Sequence, residues 1–305
     1  MTGTVVKAFG RFYTVRGDGV EINCVLRGKI KKDPRLKIYS EPVAVGDIVD
    51  FSTDADELGV IEDVHERRNS FTRKDRGNKE DIIAANINQI IVVQSFREPK
   101  FNLRFVDRLL VRAEKEGLPT ILCMNKDDLS MNEDIDHIAQ YYRSVDLNVL
   151  RVCAITGRGR EELLRLCEGK ISLFAGYSGV GKSSLLNMLF PGIDLKTSDV
   201  SQSTGKGRHT TTNVNFVDIN ENTAIIDTPG MREFGLMDIE PMNVSDYFPD
   251  MKKYLRECHF APCTHDHEPG CRVKDAVDAG EISADRYESY LNILYSIKDY
   301  YINKY

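Results

Sequence analysis

Two textures of hydrophobic patterning divide the chain. Up to about residue 70 the apolar residues fall in short runs that alternate with polar ones. Phe12-Tyr13-Thr14-Val15 and Val20-Glu21-Ile22-Asn23-Cys24-Val25-Leu26 flank Gly17-Asp18-Gly19, which is a hairpin signal. Val43-Ala44-Val45-Gly46-Asp47-Ile48-Val49-Asp50-Phe51 and Gly59-Val60-Ile61-Glu62-Asp63-Val64 continue the pattern. Several short strands in so few residues predict a small β-barrel, and an OB-fold is the commonest solution.

From about residue 81 apolar strand-like runs alternate with helical stretches. The runs are Ile90-Ile91-Val92-Val93, Thr120-Ile121-Leu122-Cys123-Met124, Val149-Leu150-Arg151-Val152, Ile171-Ser172-Leu173-Phe174-Ala175 and Thr223-Ala224-Ile225-Ile226. This is the signature of a parallel α/β sheet. From about residue 244 the pattern turns helical. A last helix is expected after Ser283, with Tyr287, Tyr290, Leu291, Leu294 and Ile297 at helical spacing. The expected architecture is therefore multidomain. A barrel spans 1–70, an α/β domain 71–243 and a mainly helical domain 244–305.

The α/β region carries a phosphate loop. Gly176-Tyr177-Ser178-Gly179-Val180-Gly181-Lys182-Ser183 matches G-x-x-x-x-G-K-[ST] in full, follows an apolar run and precedes the amphipathic stretch Ser184–Phe190. In such a loop backbone N–H groups turn inward around phosphates, and a helix N-terminus adds its positive end. Lys182 is expected to reach the β- and γ-phosphates, and Ser183 to ligate Mg²⁺. Asp227-Thr228-Pro229-Gly230 closes another run; Asp227 suits Mg²⁺ through water, and the Gly230 amide suits the γ-phosphate. Between them lies Gly205-Lys206-Gly207-Arg208-His209-Thr210-Thr211-Thr212, whose glycines and hydroxyls suit a loop that closes on Mg²⁺ and phosphate.

Asn125-Lys126-Asp127-Asp128 reads as a guanine motif. Asp128 can accept hydrogen bonds from guanine N1–H and the exocyclic amine. Adenine lacks both donors and would leave the carboxylate unpaired. Asn125 is expected to brace the loop, and the Lys126 stem to stack on the base. Val152-Cys153-Ala154-Ile155-Thr156-Gly157-Arg158-Gly159 ends the next run, and the Ala154 N–H is expected to meet guanine O6. The base motif precedes the phosphate loop, the reverse of Ras-like order. A sheet tolerates such a circular permutation when its original termini lie close together.

Cys258-x4-Cys263-x-His265-x5-Cys271 offers four ligands to one tetrahedral, structural Zn²⁺. His259 and His267 are alternatives for the third ligand. The remaining four of the seven cysteines are scattered, which suits reduced thiols rather than a disulfide framework. With no signal-peptide pattern at the start and no apolar stretch of membrane-spanning length, a cytoplasmic protein without membrane contact is expected. The net charge of −6 does not exclude nucleic-acid binding, because basic residues cluster locally. Arg27, Lys29, Lys31, Lys32, Arg35 and Lys37 form one run; Arg67, Arg68, Arg73, Lys74, Arg76 and Lys79 form another.

These pieces together resemble the ribosome small-subunit-dependent GTPase A family of bacteria. The resemblance covers nearly the whole chain: the barrel, N-K-x-D before the phosphate loop, G-R-H-T-T-T at 207–212, D-T-P-G at 227–230 and the Cys/His cluster with His267-Glu268-Pro269-Gly270 before its last cysteine. It implies an OB-fold, a circularly permuted GTPase domain and a helical zinc domain. It further implies GTP hydrolysis to GDP, docking on the small ribosomal subunit and its rRNA late in maturation, and stimulation by that subunit. Nothing suggests a dimer, so a monomer is expected. The family pattern selects His265 as zinc ligand and Thr211 as the Mg²⁺-binding threonine. Ras-type enzymes place a water-orienting Gln where this chain has Met231. The family comparison points instead to His209. Cys153 stands where many GTPases have Ser. A signalling GTPase with a protein effector, and a passive RNA-binding module whose nucleotide site only stabilises the fold, are the competing readings.

Overall fold

The turn Asp18-Gly19 sets the first hairpin: both residues have positive φ, which matches a two-residue turn to the twist of its strands. The computed structural model describes residues 1–53, 58–74, 79–130, 137–138, 140–142, 145–192, 214–228, 235–236 and 238–302. Strands β1 (Thr2–Phe9), β2 (Phe12–Gly17), β3 (Val20–Leu26), β4 (Ile48–Ser52) and β5 (Gly59–Val64) pair in the order β1-β2-β3-β5-β4, and β1 pairs back onto β4 to close a five-stranded barrel. Val5, Tyr13, Val15, Cys24, Val49, Phe51 and Ile61 fill its interior. The apolar run at 43–51 is a strand only from Ile48 onward. Val43, Ala44 and Val45 are buried in a loop instead, because Gly46 turns with φ +91° against Ala85, whose carbonyl would lie 2.1 Å from any Cβ there. A hairpin of β6 (Ser70–Lys74) and β7 (Glu80–Ala85) leads out of the barrel.

The second unit is a sheet ordered β10-β9-β8-β11-β13-β12, with β8 (Gln89–Ser95), β9 (Thr120–Asn125), β10 (Asn148–Arg151), β11 (Ile171–Ala175), β12 (Asn215–Asn220) and β13 (Thr223–Asp227). All its neighbours are parallel except β12, which runs antiparallel to β13. Strand β8 is buried on both faces. Ile90 and Val92 pack toward helix α1 (Leu103–Lys115), and Ile91 and Val93 toward α2 (Arg160–Cys167) and α3 (Lys182–Leu189). That explains why it reads as a continuous apolar run. Among the described residues the barrel joins this sheet through one pairing, Lys7 on β1 with Asn215 on β12, so eleven strands are continuous.

Strand order and chain order disagree in an informative way. The chain runs β8, β9, β10 to one edge, returns along α2 and re-enters the centre at β11. Only residues 168–170 link α2 to β11. Gln89 bonds the Leu166 carbonyl at 2.7 Å and the Ser172 hydroxyl at 2.9 Å, holding the end of α2 beside the start of β11. The short link therefore closes with little strain, and the phosphate-loop strand need not come first.

The C-terminal region is tied to the sheet by α1. This region holds α4 (Arg272–Asp278) and α5 (Ala284–Ile302), which begins directly after Ser283. Arg286 of α5 is 2% exposed and donates to Asp107 of α1 at 2.6 Å and to Asp250 at 3.1 and 3.2 Å. The Tyr141 hydroxyl donates to the other Asp107 oxygen at 2.5 Å. Farther along α1, Arg112 and Lys115 both grip Asp238. Burial pushes that carboxyl up, but the two cations outweigh it and hold it at about 2. Removing one member of a buried network leaves uncompensated charge. Arg286→Ala should therefore cost about 3–5 kcal/mol of stability, read as a lowered midpoint in urea or thermal unfolding.

Candidate functional site

Five parallel strands of the sheet end at one edge, and the loops that follow β8, β9, β10 and β11 meet there beside the end of β13. In open α/β sheets ligands bind at this carboxyl edge, where the strand order reverses. Here the reversal falls between β8 and β11. The phosphate loop follows β11. Gly176 lies so close to β8 that a Cβ would sit 2.3 Å from the Val93 carbonyl. Gly181 has φ +88° and caps α3, and a Cβ there would meet the Asn125 amide at 2.4 Å. Ser178, Gly179 and Ser184 are exposed, Val180 is buried in the core and Ser183 is half-buried. Tyr177 leans away from the loop, its ring 4.3 Å from that of Phe105 on α1.

Lys182 is 7% exposed, and its ammonium donates to the carbonyls of Gly176 at 2.9 Å and Tyr177 at 3.3 Å. Burial lowers its pKa, opposed by Asp227. Burial likewise pushes the Asp227 carboxyl up to about 6, with Lys182 opposing. Asp227 Oδ1 is buried and has no hydrogen-bond partner among the described residues. An orphaned carboxylate oxygen beside the phosphate-loop lysine fits a hydrated Mg²⁺, which supplies both charge and donors. His209, Thr211, Gly230 and Met231 lie outside the described residues.

The base loops are cross-braced. The Asn125 side chain donates to the Val180 carbonyl at 2.8 Å and accepts from the Ala154 N–H at 3.2 Å. It thus joins the phosphate loop, its own loop and the loop after β10. The Ala154 N–H expected at guanine O6 is engaged with Asn125 here. Lys126 takes a left-handed conformation, φ 57°, and its ammonium donates to the Glu98 carbonyl. Asp128 is exposed, and the Cys153 thiol donates to its Oδ1 at 3.1 Å. Asp127, the variable position of the motif, is 7% exposed and paired with Arg151 and Arg158. The motif leaves that position undefined, so the sequence gives no signal for it.

The C-terminal cluster brings Cys258, Cys263, His265 and Cys271 together, with ligand atoms all within 4.8 Å of one another. His265 Nδ1 stands 3.5 Å from the Cys258 sulfur and 3.4 Å from that of Cys271, and the two sulfurs are 3.9 Å apart. Tetrahedral zinc with metal–ligand bonds of about 2.3 Å to sulfur and 2.0 Å to nitrogen requires nearly these separations. His267 is exposed, and His259 packs on Phe260. Tyr287 and Tyr290 of α5 donate to the carbonyls of His265 and Thr264 at 2.6 and 2.5 Å, fixing the ligand loop.

The two basic runs part company. Lys29, Lys31, Lys32 and Lys37 are exposed on the barrel. In the second run Arg67 pairs with buried Asp47 at 2.7 Å, Arg68 donates to the Asn86 carbonyl at 2.8 Å and Arg73 binds Asp81 at 2.8 Å. Arg67 and Arg73 are thus held by acids at the exit of the barrel, whereas Arg68 and Lys79 remain exposed; Arg76 lies outside the described residues.

A phosphate loop and an N-K-x-D loop at one sheet edge, with the base motif on the earlier strand, define a circularly permuted P-loop GTPase. The model of the RsgA GTPase family matches residues 64–237, and that of the RsgA N-terminal domain matches residues 2–61. The chain belongs to the RsgA GTPase family and is a GTP hydrolase. It is 41% identical to the small ribosomal subunit biogenesis GTPase RsgA of Chlorobaculum tepidum, over 98% of this chain and 99% of that one. The crystal structure of YjeQ from Thermotoga maritima matches with a TM-score of 0.74 and 36% identity, covering 97% of this chain and 98% of that one. The structure of YloQ, described as a circularly permuted GTPase, gives 0.69 and 27%, covering 98% and 95%. No helix among the described residues is long and apolar enough to cross a membrane.

An Asp227 that serves Mg²⁺ must be ionised. Mg²⁺-dependent GTP binding should be full near neutral pH and weaken as pH falls through about 6. In nucleotide-free protein the sign is opposite. The raised value favours the folded, protonated form at low pH, and that contribution is lost as pH rises from the ordinary carboxylate value to about 6. Mg²⁺ titrations of nucleotide affinity on either side of that pH check the first, and unfolding midpoints across the same range check the second.

Proposed function

We propose that this GTPase docks on the small ribosomal subunit during its late maturation, in the cytoplasm and as a monomer, and that the subunit stimulates hydrolysis of GTP to GDP and phosphate. The observation that carries this reading is the likeness to the Chlorobaculum tepidum protein over 98% of the chain, which takes in barrel, GTPase sheet and cysteine cluster together. The exposed lysines of the 29–37 loop support contact with rRNA phosphates. A division at 1–70, 71–243 and 244–305 is supported by barrel strands that end at Val64 and by the start of the C-terminal elements near Pro241.

In this reading Lys182 and the amides of Gly176 to Ser184 hold the phosphates. Ser183, Thr211 and Asp227 serve Mg²⁺, and Gly230 meets the γ-phosphate. Asn125, Lys126, Asp128, Cys153 and Ala154 form the guanine site. Zn²⁺ bound by Cys258, Cys263, His265 and Cys271 is structural, because four protein ligands leave no open position. Elemental analysis should find one zinc per chain, and Cys271→Ser should lose it and destabilise the C-terminal region.

Met231 has no group to orient water, so hydrolysis by the protein alone should be slow. Docking on rRNA orders the loop that carries His209 and brings the imidazole to the attacking water. Turnover should rise strongly with purified small subunits and not with large ones. In His209→Ala the stimulated rate should fall while GTP affinity holds. A stimulated rate unchanged in that variant would remove His209 from the chemistry, and no stimulation by either subunit would turn the search to another activating partner.

A further inference from the structure

Neighbouring acids Asp127 and Asp128 occupy opposite environments. Asp128 is exposed at the base site, whereas the Asp127 side chain is 5% exposed. Asp127 Oδ1 accepts from Arg151 Nε at 2.6 Å, and Oδ2 from the Arg158 guanidinium. Arg151 ends strand β10, and Arg158 lies in the loop that follows it. The Ser130 hydroxyl approaches the same Oδ1 at 3.3 Å.

The contacts form a closed circuit. The Asp127 side chain holds Arg158. The Cys153 N–H donates to the Arg158 carbonyl at 3.1 Å, and the Cys153 thiol donates to Asp128 at 3.1 Å. Asp128 then returns through one peptide bond to Asp127. Arg158 sits between Gly157 and Gly159, both with positive φ, at 78° and 73°. Two such glycines raise the entropy cost of ordering this turn, because glycine gives up the most conformational freedom when ordered. A charge-assisted hydrogen bond from a buried carboxylate is a direct way to fix it. No other described ion pair spans the two base loops, since Arg151 and Arg158 both converge on Asp127.

We propose that Asp127 is a positioning residue for guanine recognition: it clamps the loop after β10 onto the N-K-x-D loop and thereby sets the register of Asp128 and Ala154 against the base. This rests on the reading of Asp128 as the guanine acceptor. The clamp touches no nucleotide itself. Its loss should loosen both loops in their recognition of the base while leaving the phosphate loop on β11 in place.

The test is nucleotide affinity by titration with GTP, GDP and ITP, the last lacking the exocyclic amine that Asp128 reads, for wild type, Asp127→Asn and Arg158→Ala. Wild type should prefer GTP to ITP. Asp127→Asn should weaken GTP and GDP about tenfold and ITP about twofold, so that the preference shrinks. KM should rise while kcat changes little. Arg158 has a side chain 53% exposed, so its removal does not threaten folding. Arg158→Ala should shift the preference in the same direction, and the double variant should be no worse than Asp127→Asn alone. A purely structural role predicts a lowered unfolding midpoint with the GTP-to-ITP ratio intact, and that result in Asp127→Asn would overturn the clamp. An unchanged ratio in Arg158→Ala would also overturn it. A wild type with no preference would overturn the guanine reading itself, and the clamp with it.

Discussion

One side-chain amide joins the two halves of the nucleotide site. Asn125 donates to the carbonyl of Val180 in the phosphate loop and accepts from the amide of Ala154 in the loop beyond β10. It is 1% exposed, so these bonds form where unmet polar groups are costly. Gly181 is glycine partly because Asn125 needs that approach. Base recognition and phosphate binding are thus fixed relative to one another by a single residue at the end of β9. The chain reaches the N-K-x-D loop some fifty residues before the phosphate loop, so nothing local could have set this geometry.

The same economy explains the permutation. A sheet holds its loops in place through strand order and register, which do not depend on where the chain begins. Gln89 and the short 168–170 link seal the former terminus at the edge remote from the site. What the permutation adds lies on the other side. Strand β12 follows the segment bearing His209 and Thr211 and pairs directly with barrel strand β1. Asp238, just beyond the segment bearing Gly230, is gripped by α1. The barrel and the C-terminal region are therefore attached next to the two segments expected to respond to the γ-phosphate.

Helix α1 is the common support. Its start packs against Tyr177 of the phosphate loop, its middle holds Arg286 through Asp107, and its end holds Asp238. Buried ion pairs add little net stability over apolar packing, but they tolerate few alternative arrangements. They fix how the region with the Cys/His cluster sits on the sheet, while Tyr287 and Tyr290 carry that placement to the cluster's loop.

Much of this was legible in the chain itself. Period-two runs and glycine turns announced the barrel, continuous apolar runs announced a buried parallel sheet, and the phosphate loop, N-K-x-D and cysteine spacing announced their chemistry, because each is a local pattern with a local physical cause. Strands β1 and β12 were not announced, although each pairs mainly within its own unit, β1 with β2 and β4 and β12 with β13, because neither carries a long enough apolar run. The stretch Val43–Val45 misled because burial and strand formation look alike in a hydrophobicity pattern. The sequence left the third zinc ligand open among three histidines on spacing alone, and the packing of the ligand loop gathered His265 with the three thiols. Only tertiary structure paired Arg67 and Arg73 of the second basic run with acids, gave Asp127 its two arginines and made Asn125 a bridge. Those facts depend on which distant side chains share a neighbourhood, and long-range contacts are what a linear pattern cannot encode.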